Sequence, residues 1–577
     1  MSPAGVEPIV DPRGRQPRDR LVLAPRLSLE ALKKDRILFY NNTKVDFCNY
    51  PEILTGIKRH LTALGVTNFV DYRETVRGKS TAGLRRTAQK LADQGFGAAV
   101  VALADMGTSP ATAILTIELE RAGVPSVLIG APPGGPLAEQ VAFYRASNLC
   151  ICHIDIFQAS PVEDVRSEID RHIECIMDAL TLPADRLSAR ATIEPAMDAL
   201  PPSEDGLLEV PVERPIPQTD QVTPGRYMEE VLDLFDHLHL GDGLPVIPPT
   251  RDRVSAMMAF CPFDPDEVLI AEAGPSGRDI LVQDVVVNAV LAGCKPEYLP
   301  ILVTAFRAMS DLRYNFLQSV TTSHAGGSLV LVSGPIAREL GIHGGQGCLG
   351  PGFRANATIG RAVNLTILNV CRAVPGRADL GCLASPAEYA YCFAEDPALS
   401  PWPPINEERF DKDTTTVLVL KADPPSDVID FLSQTAVDLL DTIISSCTTL
   451  GKNNAYIPGN LIVLVTPDHA RMLRDEGWDK PRLRQYLYDR VHNPRAMVQG
   501  RGIVPVRPPG FDDMSPIPAT RRPEDIEIVV AGGRGGHSGV ITSWGLRSEA
   551  IIAPVALPDG QAAKSIQDFC VTSAHCR

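Results

Sequence analysis

Residues 97–130 read GAAVVALADMGTSPATAILTIELERAGVPSVLIG, and the fold class follows from them. GAAVVALAD is an apolar run of strand length, SPATAILTIELERAG has helical spacing, and VPSVLIG is a second apolar strand. Between the first strand and the helix, Thr108 or Ser109 suits the cap and Pro110 the first turn. Moving outward, ILFYNN reads as a strand, PEILTGIKRHLTALG as an amphipathic helix, TNFVDY as a strand and STAGLRRTAQKLADQG as a helix. Alternating apolar strands and helices of this length imply βαβ units and a parallel sheet covered on both faces. The expected fold is α/β: a flavodoxin-like parallel-sheet domain, followed by a larger α/β domain of repeated strand-loop-helix units.

No GxGxxG follows the first strand, so a nicotinamide cofactor is not expected, nor any other cofactor. Ligands in such sheets bind beyond the carboxyl ends of the strands. Two loops lie there: Asn41 to Lys44, and Asp105 to Pro110. Lys44, Thr108 and Ser109 are the substrate-binding candidates of this domain.

The run ALADMGTSPATAILTIELERAGVPSVLIG resembles the active-site segment of the UGSC family, named for selenocysteine, Gly, Ser and Cys at a strand end. That family in turn is similar to the selenoprotein subunits of glycine-type reductases, whose loop carries redox chemistry. Here the four positions are Met106, Gly107, Thr108 and Ser109, so both redox atoms are replaced. The resemblance, over residues 36 to 182, implies a shared fold and pocket without thiol or selenol redox at this loop. Downstream, GLPVIPP, AGCKPEY and GPGFRANATIGRAVNL together look like the large domain that accompanies UGSC-type sequences in bacteria. That likeness implies no particular activity.

Composition bounds the rest. The chain has 577 residues, long enough for several domains with large cores. Lys and Arg total 55 against 70 for Asp and Glu, a net charge of -15, which argues against nucleic acid or an anionic membrane as partner. No apolar run is long enough to span a bilayer, and the N-terminus lacks a signal-peptide core, so a cytoplasmic location with reduced thiols is expected. The 13 cysteines show no paired framework; Cys150, Cys152 and His153 read as the end of a buried strand. Residues 1–33 are expected to be a loose or disordered arm, 34–182 the UGSC-type domain, 183–224 a Pro-rich linker, 225–495 the large domain, and 496–577 a C-terminal strand and Gly-loop unit packed on it.

Within the large domain the richest stretch is GIHGGQGCLGPGFRANATIGRAVNL, 341–365. Glycines of this density permit close approach of main chain to a ligand, and the helix that follows offers free N–H groups to an anion. Arg354 and Arg361, seven apart, share a helix face suited to gripping a carboxylate, with Asn356 beside them. Cys348, near Arg354 and a helix N-terminus, is the nucleophile candidate through a lowered pKa.

An internal echo extends this site. SVTTSHAGGSLVLVSGPIARELG from Ser319 parallels SSCTTLGKNNAYIPGNLIVLVTPDHARMLRDEG from Ser445, and IEIVVAGGRGGHSGVITSWG from Ile526 reads as a third copy. If their loops converge, they gather His324, Cys447, Lys452, Asn453, Asn454 and His537 beside His343 and Cys348. Three histidines suit acid–base chemistry; no HxH or HExxH spacing points to a metal.

The expectation from sequence is a lyase-type metabolic or biosynthetic enzyme making or breaking a polar bond in a small carboxylate-bearing or thioester-like substrate. Its catalytic candidates are Cys348, His343, His324, His537 and Cys447. Its substrate-binding candidates are Arg354, Asn356, Arg361, Lys452, Asn453, Asn454, Lys44, Thr108 and Ser109. A thiol-dependent reductase cleaving a C–N or C–S bond and a non-catalytic subunit of a hetero-complex are the alternatives. The expected partners are a small-molecule substrate and further copies of the chain, with no nucleic acid and no membrane.

Overall fold

The computed structural model describes residues 8–14, 21–43, 49–105, 107–146, 148–157, 160–190, 206–208, 210, 224–260, 262–504 and 515–570. Lys44 and Met106 lie outside them.

The N-terminal domain is a five-stranded parallel sheet. Its strands are β1 (Ile37–Asn41), β2 (Phe69–Arg73), β3 (Ala98–Ala104), β4 (Ser126–Gly130) and β5 (Ile151–His153), in the order β2-β1-β3-β4-β5. That is the flavodoxin order, and it reverses between β1 and β3. Successive residues serve opposite cores: Ile37, Phe39, Val100 and Ala102 on one face, Leu38, Tyr40, Val101 and Ala104 on the other. The period of two puts both faces under helices. These are α1 (Pro51–Ala63), α2 (Thr81–Ala92), α3 (Ser109–Arg121), α4 (Gly134–Arg145) and α5 (Val162–Thr181).

α3 is buried from Ser109 to Glu120, with no solvent face. The N-terminal arm covers part of it. Leu21, Leu23 and Ala24 are buried, Ala24 N–H donates to Glu120, and Arg26 meets Glu120 at 2.6 Å with both side chains fully buried. Ile9–Val10 pairs with Leu207–Leu208. The described parts of the arm and linker are therefore fixed to the body, and the expected loose arm is corrected: its residues help to bury a helix that has no solvent face.

The large domain is a four-layer sandwich. Helices α6 (Val282–Ala292), α7 (Leu299–Met309), α8 (Phe316–Ser319), α9 (Pro335–Glu339) and α10 (Arg354–Val370) accompany a first sheet, and α11 (Ala436–Cys447) and α12 (Pro467–Asp475) a second. The first sheet has β6 (Gly327–Ser333), β7 (Cys392–Ala394) and β8 (Thr416–Ala422). The second has β9 (Ser426–Ile429), β10 (Leu461–Val465), β11 (Ile526–Val530) and β12 (His537–Thr542), while β13 (Ile551–Pro554) returns to the first. Val330, Val332, Val417 and Val419 face the first helix layer. Leu329, Leu331, Leu418 and Leu420 meet Ile462, Leu464, Val529 and Ile541 between the sheets, and Leu461, Val463, Ile528 and Val540 face the outer helices.

The two sheets have one design. β6 pairs parallel with β7 and antiparallel with β8, and β8 with β13. β10 pairs parallel with β11 and antiparallel with β12, and β12 with β9. Each unit thus lends its fourth strand to the other's sheet. The sequence echo of Ser319 and Ser445 is this duplication. The stretch from Ile526, read as a third copy, supplies strands β11 and β12 of the second unit, and residues 515–570 are woven into both sheets rather than packed on them.

The units join where β8 and β12 end. Ala422 bridges Ser543, Asp423 N–H donates to the Thr542 carbonyl (2.9 Å) and Trp544 N–H to the Lys421 carbonyl (3.1 Å). Among the described residues no helix is long and apolar enough to cross a membrane.

Candidate active site

Trp544, just past the end of β12 and 2 % exposed, is where three parts of the molecule meet. A β-carbon placed on Gly107, in the loop after β3, would lie 3.8 Å from the indole and 3.9 Å from the Thr322 hydroxyl. The flavodoxin-like domain thus presents the carboxyl end of β3, at its strand-order reversal, to the junction of the two sandwich units. His324, from the loop before β6, stacks near-parallel on the indole at 6.4 Å between ring centres. Arg547 lies over the same ring at 5.7 Å.

His324 Nε2 meets Asp423 Oδ1 at 2.9 Å, and Lys452 Nζ lies 3.4 Å from Asp423 Oδ2. The Thr542 hydroxyl donates to the same oxygen at 2.6 Å. Burial pushes the Asp423 carboxyl up, but His324, Thr542 and Lys452 together outweigh it and hold it below its ordinary value. Asp423 therefore stays ionised and fixes the imidazole. His324 Nδ1 is buried and has no hydrogen-bond partner.

Arg547 has a second guanidinium, that of Arg77, for a neighbour. Arg547 and Arg77, from the loop after β2, line one cavity of about 400 Å³ with Leu312, Arg313, Asn315, Ile457 and Glu549. Burial lowers Arg547 to about 10, and repulsion from Arg77 adds to it. Arg77 is lowered by burial and partly restored by Asp105. Among the described residues neither arginine has a carboxylate in ion-pair contact, and Arg547 Nε is buried without a partner. Thr108, at the cap position of α3, makes no capping bond: its hydroxyl is buried and unpaired too, while Ser109 lies buried in the first turn.

The predicted residues divide between the two ends of the sandwich. His324, Lys452 and Thr108 belong to the junction just described. His343 follows the far end of β6 and His537 opens β12 at the corresponding end of the second sheet, roughly 20 Å of strand from His324. The three histidines do not meet. The Gly341 loop does meet the loop after β11, through a bridge between Gly345 and Gly532, but this contact is structural. His343 stacks on Phe353 at 3.8 Å and contacts the Gln346 carbonyl, and His537 pairs with Asp427 at 2.9 Å.

The glycine-rich stretch is a scaffold. Asn356 accepts from His343 N–H and donates to the carbonyls of His343 and Cys348. Arg354 closes the end of α6 by donating to the Gly293 carbonyl, and Arg361 grips Asp242 with two bonds of 2.7 and 2.8 Å. Both arginines expected to hold an anion are thus engaged. Cys348 lies in the core between the sheets, and burial pushes its thiol up to about 11, the reverse of the lowering expected. Cys447, in the outer core, is pushed to about 12. Asn454 is a buried tie, donating to the Ala519 carbonyl and accepting from Ser543 N–H, and Asn453 opens the short helical turn before it. Among the described residues no group of three or more His, Cys, Asp or Glu side chains is arranged to hold a metal.

Asp423, Trp544, Arg77 and Arg547 were not found from sequence. Each follows a strand or sits in a loop far along the chain from the others, so no spacing links them. The usable signal was the duplication: loops that precede β6 and β10, and residues that follow β8 and β12, occupy equivalent places.

Comparison with curated proteins and with solved structures found no match. Residues 8–133 match the model of the UGSC family, a span that takes in the N-terminal arm and ends before α4. The loop that faces Trp544 therefore belongs to a UGSC-type domain at the N-terminal end of this chain.

Proposed function

We propose that the junction around Trp544 is the active site of a lyase-type enzyme acting on a small carboxylate-bearing molecule, with His324 as acid and base. One observation carries this reading: unpaired buried polar atoms gather here, among them Thr108 Oγ1, His324 Nδ1 and Arg547 Nε. Buried polar groups in folded proteins are almost always paired, so a cluster of unpaired ones marks room for a polar guest.

The chemistry follows from the donor set. Arg77 and Arg547 hold the substrate carboxylate between them, which offsets their mutual repulsion. Asp423 accepts the Nε2 proton of His324 and leaves the Nδ1 lone pair free to take a proton from substrate. The ionised Asp423 stabilises the imidazolium, which then returns the proton to the departing group. The high thiol pKa values of Cys348 and Cys447 disfavour the thiol-dependent alternative.

Calorimetric titration of the full chain with mono-, di- and 2-oxocarboxylates tests the reading. We expect a carboxylate to bind, Arg547→Ala to weaken it by roughly tenfold to a hundredfold, the loss of one charge-assisted contact, and His324→Gln to keep it. Failure of every carboxylate to bind, or unchanged binding by Arg547→Ala, would overturn it.

A further inference from the structure

The cavity that holds Arg77 and Arg547 does not end at the two guanidiniums. Three of its residues, Gly78, Leu312 and Asn315, also line a second cavity of about 380 Å³. The shared wall is tied to the arginine side: Asn315 Nδ2 donates to the Arg547 carbonyl at 2.8 Å, and Glu549 N–H donates to the Arg313 carbonyl at 2.9 Å. Gly78 directly follows Arg77, and a β-carbon on it would meet no atom within 4 Å, so there is free space beside it.

The two cavities differ in chemistry. In the first, Arg313 pairs with Asp311 at 2.7 Å and Glu549 with Arg521 at 2.8 Å, which leaves Arg77 and Arg547 to a guest. The second is walled mainly by Val268, Leu269 and Ile270 of one hairpin strand, by Met309 at the end of α7, and by Phe316 and Leu317 of α8. Its charged side chains among the described residues are Lys79, Glu272 and Asp311, and each is already paired: Lys79 with Glu74, Glu272 with Arg85 at 2.9 Å, and Asp311 with Arg313. The Ser80 hydroxyl accepts from Gly83 N–H at the start of α2, and the Ser310 hydroxyl donates to the Arg307 carbonyl at 2.7 Å. The wall thus offers a guest apolar surface and no unpaired charge. Val268 and Leu312 are 47 % and 59 % exposed, and covering them would remove apolar area from water.

We propose that the acid bound at the Trp544 junction carries an apolar chain: its carboxylate lies between Arg77 and Arg547, and its chain passes Leu312 and Asn315 into the second cavity. This rests on the reading of that junction given above and names its substrate class, a medium-chain aliphatic acid. In ligand sites a few polar groups fix orientation while apolar walls bury most of the molecule. A short acid leaves Val268 and Leu312 exposed, and a longer one covers them. A second carboxylate at the far end of the chain would lose its water against apolar walls with no cation to receive it.

The test is calorimetric titration of the full chain with propanoate, butanoate, hexanoate and octanoate, each below its micelle concentration, and with octanedioate. We expect binding to tighten roughly fourfold for each methylene buried, until the second cavity is filled. Octanedioate should bind at least about tenfold more weakly than octanoate. Val268→Asp, at an exposed strand position, should flatten the series, so that octanoate is held no more tightly than propanoate. Arg547→Ala should weaken every member. Short acids that bind through Arg547 with no gain from chain length, a gain as steep in Val268→Asp, or octanedioate bound as tightly as octanoate would overturn the apolar subsite and leave the carboxylate site standing. No binding at any length, or a length series that ignores Arg547→Ala, would overturn both.

Discussion

Glu388 and the thiols give the sharpest expectations at the scale of single residues. Burial raises the Glu388 carboxyl from 4.5 to about 7, so the folded state holds its proton longer than the unfolded chain does. Its contribution to stability is therefore greatest below about pH 4.5 and is lost as pH rises to about 7, then stays constant. Thermal unfolding followed against pH should show that fall in the parent protein and not in Glu388→Gln. Alkylation at neutral pH followed by peptide mass gives a second check. Cys175 is exposed and is lowered to about 7, chiefly by a hydrogen bond with the Cys152 thiol, so it should react early. Cys348 and Cys447 should stay unlabelled until the protein unfolds. At this scale the sequence named His324 and Lys452 together, from the loops that precede matching strands, and the structure brings both to the Asp423 carboxylate. It misplaced Cys348, because a cysteine near a helix start looks reactive until the second sheet is seen to cover it.

The glycine-rich stretch 341–353 and α10 illustrate the scale of the element. The helix was legible from its apolar spacing, and it starts at Arg354, directly after the glycines. Its purpose was not legible, because the partners of its polar residues are Gly293, Asp242 and the loop itself, none of which local spacing reveals. Asn356→Ala removes three buried bonds that close the loop, and we expect a loss of about 1–3 kcal/mol in urea unfolding. Arg354→Ala, at an exposed helix end, should cost about 0.3–1 kcal/mol. Equal losses at both positions would show that the loop is not held by Asn356. α3 makes the complementary point. In SPATAILTIELE the stripe Ser109, Thr112, Thr116 and Glu120 could pass for a solvent face, and only the structure shows that it too is covered, Glu120 by the arm.

For the whole molecule, the parallel sheet of the first domain was readable strand by strand, because each apolar run and each helix is local. The sandwich was only half readable: repeated units give an echo in the letters, but exchange of their fourth strands leaves none. Exchange also makes a prediction about truncation. A chain ending at Glu549 keeps every strand of the second sheet and loses β13 from the first, along with Phe569 of the first helix-layer core. Hydrogen exchange should then speed up along Thr416–Ala422 more than along Leu461–Val465, and the melting temperature should fall. The same arrangement bears on synthesis at the ribosome. Thr416 finds its edge partner only in Pro554, so the first sheet cannot close until the chain has emerged past that residue, well over a hundred positions later. Pairings between such distant residues are slow to form, and meanwhile β8 presents an open apolar edge of the kind that seeds aggregation. The nascent protein should depend on chaperone shielding until its last strand arrives.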